Sequence, residues 1–185
     1  PKSNLICSSR DALELNSIPS KMLIIGGGYI GLELGSVYAA LGTEITVVEM
    51  LDDILPGADK DLVDPLSKKL SKRFSKILTG TRVEQINDLG NKLNVNFSSS
   101  DGKHNEEFDV ILVSIGRKPN TDNIGLNNTT VKVDDKGFII TDDVMMTSTQ
   151  GIYAIGDTTH GPMLAHKASY EAKVAAENFA GIKSA

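Results

Sequence analysis

The sequence predicts an α/β fold built on a parallel sheet, with an antiparallel β-meander replacing one crossover helix. Three observations predict it. Apolar runs of four, Met22-Leu-Ile-Ile25, Ile45-Thr-Val-Val48 and Val110-Ile-Leu-Val113, recur along the chain, as strands covered on both faces require. The first two runs are joined by a helix-patterned segment long enough for a parallel crossover. The stretch 82–113 instead holds strand-like runs separated by turn residues, with no helical period.

Taken in order, residues 1–21 are polar and turn-rich. Within them Ser8-Ser9-Arg10-Asp11-Ala12-Leu13-Glu14-Leu15 has the pattern of a short helix capped by Ser or Asp. A strand over 22–25 leads into glycines, and a helix follows over 28–41, stopped by Gly42. A second strand over 45–49 ends in Glu49, and Pro56-Gly57 marks a loop. Leu62, Val63, Leu66, Leu70 and Phe74 then recur at helical spacing, which predicts a helix from Asp59 to about Phe74. Pro65 predicts a kink or a late start in it.

Runs at 82–86, 93–97 and 107–113 are strand-like. Asp88-Leu-Gly-Asn91 and Ser100-Asp-Gly-Lys103 separate them as hairpin turns. The third run is expected to be one strand, ending at Ser114-Ile115-Gly116-Arg117. Strands are also expected at 138–140 and 152–155, the latter ending in Gly156-Asp157. An alanine-rich helix is expected over 165–180.

The chemistry starts at Gly26-x-Gly28-x-x-Gly31. The pattern follows a strand and opens a helix, and an acid, Glu49, ends the next strand about 20 residues on, the spacing of a dinucleotide-binding βαβ unit. Gly26 permits the tight turn, and Gly28 lets the backbone approach a pyrophosphate. Gly31 and Gly35 let the helix lie close to the sheet. The helix N-terminus supplies N–H donors and a positive dipole end to the anion. Glu49 selects the nucleotide: a carboxylate accepts from both hydroxyls of an adenine ribose and repels a 2′-phosphate. The following Met50-Leu51-Asp52-Asp53 offer no base to that phosphate. The expectation is NAD(H), not NADP(H).

Bulk properties exclude several classes. The 185 residues are 40% hydrophobic and 23% charged, with net charge -5 and no basic stripe, which argues against nucleic-acid partners. The densest basic run, Lys68-Lys-Leu-Ser-Lys-Arg73, lies on a predicted amphipathic helix and reads as a solvated face. No apolar run approaches the roughly 18 residues of a membrane span, and no signal peptide is visible. The single Cys7 has no internal partner, which points to a reducing compartment, cytoplasmic in a bacterium or alternatively a mitochondrial matrix. His104, His160 and His166 share no metal-ligand spacing, and the acids at 52–61 suit a loop and a helix start, so no metal site is expected. The chain opens on Pro1, and a longer parent is expected.

Four motifs together resemble the pyridine nucleotide–disulfide oxidoreductases, flavoproteins with two dinucleotide sites. They are Gly26-x-Gly28-x-x-Gly31 through Glu49, Ile115-Gly116-Arg117-x-Pro119-Asn120, Ile152-Tyr-Ala-Ile-Gly156-Asp157, and Met163-Leu-Ala165-His166. The wording Gly-Gly-Gly-Tyr-Ile-Gly-Leu-Glu, Val-Val-Glu-Met and Ala58-Asp-Lys-Asp61 is most similar to the branch that oxidises dihydrolipoyl groups through a disulfide and FAD to reduce NAD. The resemblance implies that Gly26, Gly27, Gly28, Tyr29, Ile30 and Gly31 line the NAD pyrophosphate and that Glu49 holds the adenosine ribose. It implies that Val83 flanks the adenine and that Ser114, Ile115, Gly116 and Arg117 pass beneath the cofactor. Glu33 matches a Glu near nicotinamide and flavin, Asp157 an Asp on the flavin's ribityl chain, and Ala165 a backbone contact to the flavin. Read from the residues alone, Arg117 either closes an ion pair at a strand end or touches the nucleotide, and Asp157 reads as a plain helix N-cap for the next element.

The family's other Gly-x-Gly-x-x-Gly, its Cys-x-x-x-x-Cys pair and its C-terminal His-Glu acid-base pair do not occur in this sequence. The resemblance therefore implies a Rossmann-like NAD-binding domain over 21–142, flanked by partial FAD-domain segments at 1–20 and 143–185. It implies that the chain alone is inactive and holds no FAD. For the parent it implies a homodimer whose partners are lipoyl-bearing acyltransferase subunits of 2-oxo acid dehydrogenase complexes. The alternatives are another NAD-dependent flavoprotein disulfide reductase or a stand-alone NAD-binding module.

Overall fold

The computed structural model describes residues 2–14 and 16–182. Pro1 and Leu15 of the leading segment, and 183–185 of the C-terminal segment, lie outside the described residues. The chain divides into two compact units, Pro1–Gly116 and Arg117–Ala185. The division falls at 116/117, whereas the motifs place segment boundaries at 20/21 and 142/143.

The first unit is built on the expected parallel sheet. Its strands are β1 (Ile6–Ser8), β2 (Lys21–Ile25), β3 (Glu44–Val48), β4 (Lys76–Leu78) and β8 (Val110–Val113), in the order β1-β8-β2-β3-β4. Between β4 and β8 lies the meander, an antiparallel sheet of β5 (Arg82–Asp88), β6 (Leu93–Ser99) and β7 (Gly102–Phe108). The helices of this unit are α1 (Ser9–Leu13), α2 (Tyr29–Ala40) and α3 (Lys60–Leu70).

The apolar runs are uninterrupted because both faces of the sheet are covered. Strand side chains alternate between faces. Met22 and Ile24 join Ile45, Val47 and Leu112 in one core, with Leu32 and Tyr38 of α2 and Phe74 after α3. Leu23, Val48 and Ile111 face the other way, into a core closed by Leu93, Val95, Phe97 and Phe108 of the meander. Each fully buried aliphatic side chain of this kind contributes about 1.5–3 kcal/mol.

Short polar contacts fix the ends. Ser8 and Asp11 form a capping box at α1; of the predicted Ser or Asp, the cap is Ser8. Gly42, at φ +100°, follows α2 as predicted. Glu106 on β7 accepts from Lys21 Nζ at 2.7 Å and Lys76 Nζ at 2.9 Å, tying the meander to β2 and β4. Burial pushes the Glu106 carboxyl pKa up, but hydrogen bonds and charge from the two lysines outweigh it and hold the group below its ordinary value.

Three expectations need correction. The run 107–113 is not one strand. Asp109 breaks it: its carboxylate accepts from the Lys21 N–H at 2.8 Å and its own N–H donates to the Lys21 carbonyl at 3.0 Å. The chain therefore leaves the meander at Phe108 and enters the parallel sheet at Val110. The third meander strand is Gly102–Phe108, so Gly102 and Lys103 belong to a strand and not a turn. Helix α3 starts five residues before Pro65 and runs through it, so there is no late start; the missing N–H leaves the Asp61 carbonyl without its usual partner in the helix.

The second unit carries α4 (Ala165–Phe179), as expected. The strands expected at 138–140 and 152–155 are absent among the described residues. Ile139 and Tyr153 make isolated bridges only, to Val133, Thr159 and Met146. Turns at Asp134–Gly137 and Asp142–Met145 take the chain out of register on either side, so no ladder propagates. No helix among the described residues is long and apolar enough to cross a membrane.

Candidate functional site

In the first unit the glycine turn, Glu49 and the end of β8 converge. Gly26 adopts φ +106°, and a Cβ there would stand 2.5 Å from the Ser114 carbonyl oxygen; only glycine fits. A Cβ on Gly31 would stand 2.5 Å from the Gly26 carbonyl, 2.6 Å from Ser114 Oγ and 2.8 Å from Ile24 Cγ2. Gly31 thus sets how closely α2 seats on the turn. Ser114 Oγ closes the same corner, sharing its proton between the Ile25 and Gly26 carbonyls at 3.2 Å each. Gly28, by contrast, is the N-cap of α2 in extended backbone, and a Cβ on it would meet nothing within 4 Å. The space that a side chain would fill there is open above a helix start, where first-turn N–H groups lack intrahelical partners.

Glu49 stands at the expected place, half-buried just past β3. Its carboxylate accepts from the Gly27 N–H at 2.7 Å and the Leu51 N–H at 2.9 Å, one bond to each oxygen. Each oxygen keeps a lone pair for a further donor. The Thr81 N–H donates to the Glu49 carbonyl at 3.0 Å, which brings the start of β5 and Val83 to this end of the sheet. One base arrives that the local sequence did not show. Arg82 Nη2 lies 3.5 Å from Met50 Sδ.

Glu33 is exposed on α2, Ile115 is 75% exposed, and Gly116 takes φ +140° with open space around it. An open cradle at Gly28, a carboxylate with free lone pairs at the end of β3 and a glycine-lined turn have the chemistry that a dinucleotide would need. Cys7 is half-buried in β1; burial, with the nearby Asp11 charge, pushes its thiol pKa up.

In the second unit Arg117 and Asp157 form an ion pair with each other, and Arg117 Nη1 lies 3.5 Å from the Met163 carbonyl. The ion pair is the partner that one of the two readings gives Arg117. Asp157 sits inside the 3-10 turn Gly156–Thr158 and does not cap a helix. Ala165 opens α4 and is exposed.

Sequence reasoning missed what holds this turn. Glu171 Oε2 accepts from the Gly156 N–H at 2.7 Å and the Thr159 hydroxyl at 3.2 Å. Lys167 Nζ reaches Glu171, the Gly156 carbonyl and Thr159 Oγ1 within 3.0–3.1 Å. An i,i+4 pair on a helix reads as a solvated face, and here Glu171 is buried and Lys167 half-buried; no local signal distinguishes the two.

Comparison with known proteins gives a consistent picture. The model of the pyridine nucleotide-disulphide oxidoreductases matches residues 2–172. A dihydrolipoyl dehydrogenase of Haemophilus influenzae is 46% identical over 178 residues, covering 96% of this chain and 37% of that protein. One of Geobacillus stearothermophilus is 40% identical over 183 residues, covering 99% and 39%. Among solved structures, LpdA of Mycobacterium tuberculosis superposes with TM-score 0.87 at 28% identity, over 100% of this chain and 40% of that one. The HOCl-induced flavoprotein disulfide reductase RclA of Escherichia coli superposes with TM-score 0.85 at 26% identity, over 96% and 40%. The chain thus spans about two fifths of the length of the curated relatives it matches.

Proposed function

Because this chain belongs to the pyridine nucleotide-disulphide oxidoreductase family, we propose that it is the NAD(H)-binding part of a dihydrolipoyl dehydrogenase. The family implies flavin and nicotinamide cofactors in general. The observation that carries the finer reading is the juxtaposition of Gly28, open at the start of α2, with Glu49 at 2.7 Å from the adjoining Gly27 N–H. Gly28 admits the pyrophosphate, and the helix N-terminus offsets its charge. Glu49 takes the adenosine ribose, with Val83 beside the adenine. Ser114 holds the neighbouring strand end close to the turn, and Gly116 leaves open space beyond it. Bound NAD supplies the hydride acceptor; the residues described here bind and orient it.

Further parts of the proposal rest on the family alone. Residues 1–20 and 143–185 belong to a flavin domain, with Asp157 and Ala165 facing the flavin and Glu33 near the nicotinamide. The parent oxidises dihydrolipoyl groups on acyltransferase subunits of 2-oxo acid dehydrogenase complexes, as a homodimer in the bacterial cytoplasm. The naming of the curated relatives supports the dihydrolipoyl branch over other flavoprotein disulfide reductases.

Titration of NADH into the chain, followed by fluorescence enhancement, tests the reading. The unaltered chain binds and folded Gly28→Val does not, because the branched side chain fills the pyrophosphate space. Equal enhancement in both would place any nucleotide elsewhere.

A further inference from the structure

The loop after Glu49 closes over the glycine turn in an uncommon backbone conformation. Leu55 has φ +50°. A bulky residue rarely occupies this region, and Pro56 restricts the residue before it further. The conformation places the Leu55 N–H 2.8 Å from the Gly27 carbonyl. From the other side, Glu49 Oε2 takes the Gly27 N–H at 2.7 Å. Both polar groups of Gly27 are thereby held by one loop, 49–58. Buried Ile54 anchors that loop in the core, with Leu55 packed against it, and the Ala58 N–H closes on the Leu55 carbonyl at 3.0 Å. The preceding residue is held as well: the Gly26 N–H donates to Val48 and its carbonyl accepts from Ser114 Oγ. Gly28 follows, with open space where a Cβ would stand.

We propose that Leu55 is a positioning residue for the dinucleotide, its left-handed backbone aiming an N–H at Gly27 so that the peptides ahead of Gly28 are fixed before the ligand arrives. The proposal rests on the nucleotide reading of this turn. Backbone strain of this kind persists where the surroundings over-determine it, and binding sites are a common place for it. Fixing the turn in advance lowers the ordering cost of binding. The side chain itself is not what the ligand needs. The required features are the positive φ and the N–H.

The test compares Leu55→Gly, which favours the observed φ and keeps the N–H, with Leu55→Val, whose β-branch disfavours it. NADH and ADP-ribose are titrated into the full chain, and thermal midpoints are recorded alongside. Leu55→Gly should stay within about threefold of the unaltered affinity, while Leu55→Val weakens both ligands by about tenfold. A merely structural role would lower the midpoint of Leu55→Val and leave the affinity of its folded fraction unchanged, which would overturn the proposal. An equal loss in Leu55→Gly would overturn it too. Should Leu55→Val fail to fold, amide exchange in the unaltered chain decides. A protected Leu55 N–H supports the clasp, and exchange at the rate of an unstructured amide refutes it. Failure of the unaltered chain to bind either ligand, with Leu55 protected, would instead defeat the nucleotide reading.

Discussion

Replacing Gly31 by Ala adds one methyl group where three atoms already stand under 3 Å away, the Gly26 carbonyl oxygen, Ser114 Oγ and Ile24 Cγ2. The nearest is backbone of the turn and cannot rotate aside. Overpacking a fixed site typically costs about 1–3 kcal/mol. Moving Ser114 Oγ also gives up its bond to Ile25 and Gly26, worth about 1 kcal/mol. Alanine recovers about 1 kcal/mol of helix propensity over glycine. The net loss should be about 3 kcal/mol at the upper end of overpacking. Gly35→Ala, one turn on, is the internal control. Its new methyl meets the free end of Ile24, Cδ1 at 2.6 Å, then Phe74 Cζ at 3.2 Å. Ile24 Cδ1 can rotate away, so the change should stay within about 1 kcal/mol once propensity is included. Urea unfolding followed by circular dichroism measures both. If Gly31→Ala is as stable as the unaltered chain, or if Gly35→Ala loses as much as Gly31→Ala, the close seating of α2 on the turn is wrong.

Two further outcomes follow from ion pairs. Glu171→Ala leaves Lys167 without its carboxylate and the Gly156 N–H without an acceptor, and should cost about 3 kcal/mol; adding Lys167→Met to Glu171→Leu should recover the share due to the unpaired lysine in thermal unfolding while the Gly156 N–H share stays lost, and no recovery would contradict the assignment. Glu106→Gln should cost about 2 kcal/mol near neutral pH, as a pair of charge-assisted bonds is weakened. Because the folded-state pKa of Glu106 is depressed, that contribution is full above the unfolded carboxyl value of about 4.3 and fades as pH falls through the folded value. The gap between Glu106→Gln and the unaltered chain should therefore close in acid; a gap independent of pH would remove the lysines from the account.

The parts legible in the sequence were those written in local pattern. The glycine turn, α2, Gly42 and Glu49 lie within 24 consecutive residues, and each residue type answers a backbone or ligand requirement on the spot. The meander was legible as a sheet, but its third strand was displaced. Lys103-His-Asn-Glu-Glu107 is polar throughout, and this outer strand is exposed along most of its length, so it carries no alternation to read. The break at Asp109 depends on the Lys21 backbone, 88 residues away. The Leu55 clasp, the burial of Glu171 with its Lys167 partner, and the arrival of Arg82 beside Met50 likewise depend on partners that only the folded chain supplies.

The central claim is that Glu49 makes this turn a site for NAD(H) and not NADP(H), and calorimetric titration of NADH and NADPH into the unaltered chain and Glu49→Ala tests it most directly. The unaltered chain should bind NADH clearly more tightly. Glu49→Ala should weaken NADH by about 1–3 kcal/mol, the scale of a lost charged hydrogen bond. It should also narrow the gap to NADPH, with the repelling carboxylate gone and Arg82 close by at Met50. Equal affinity of the unaltered chain for the two nucleotides would contradict the account.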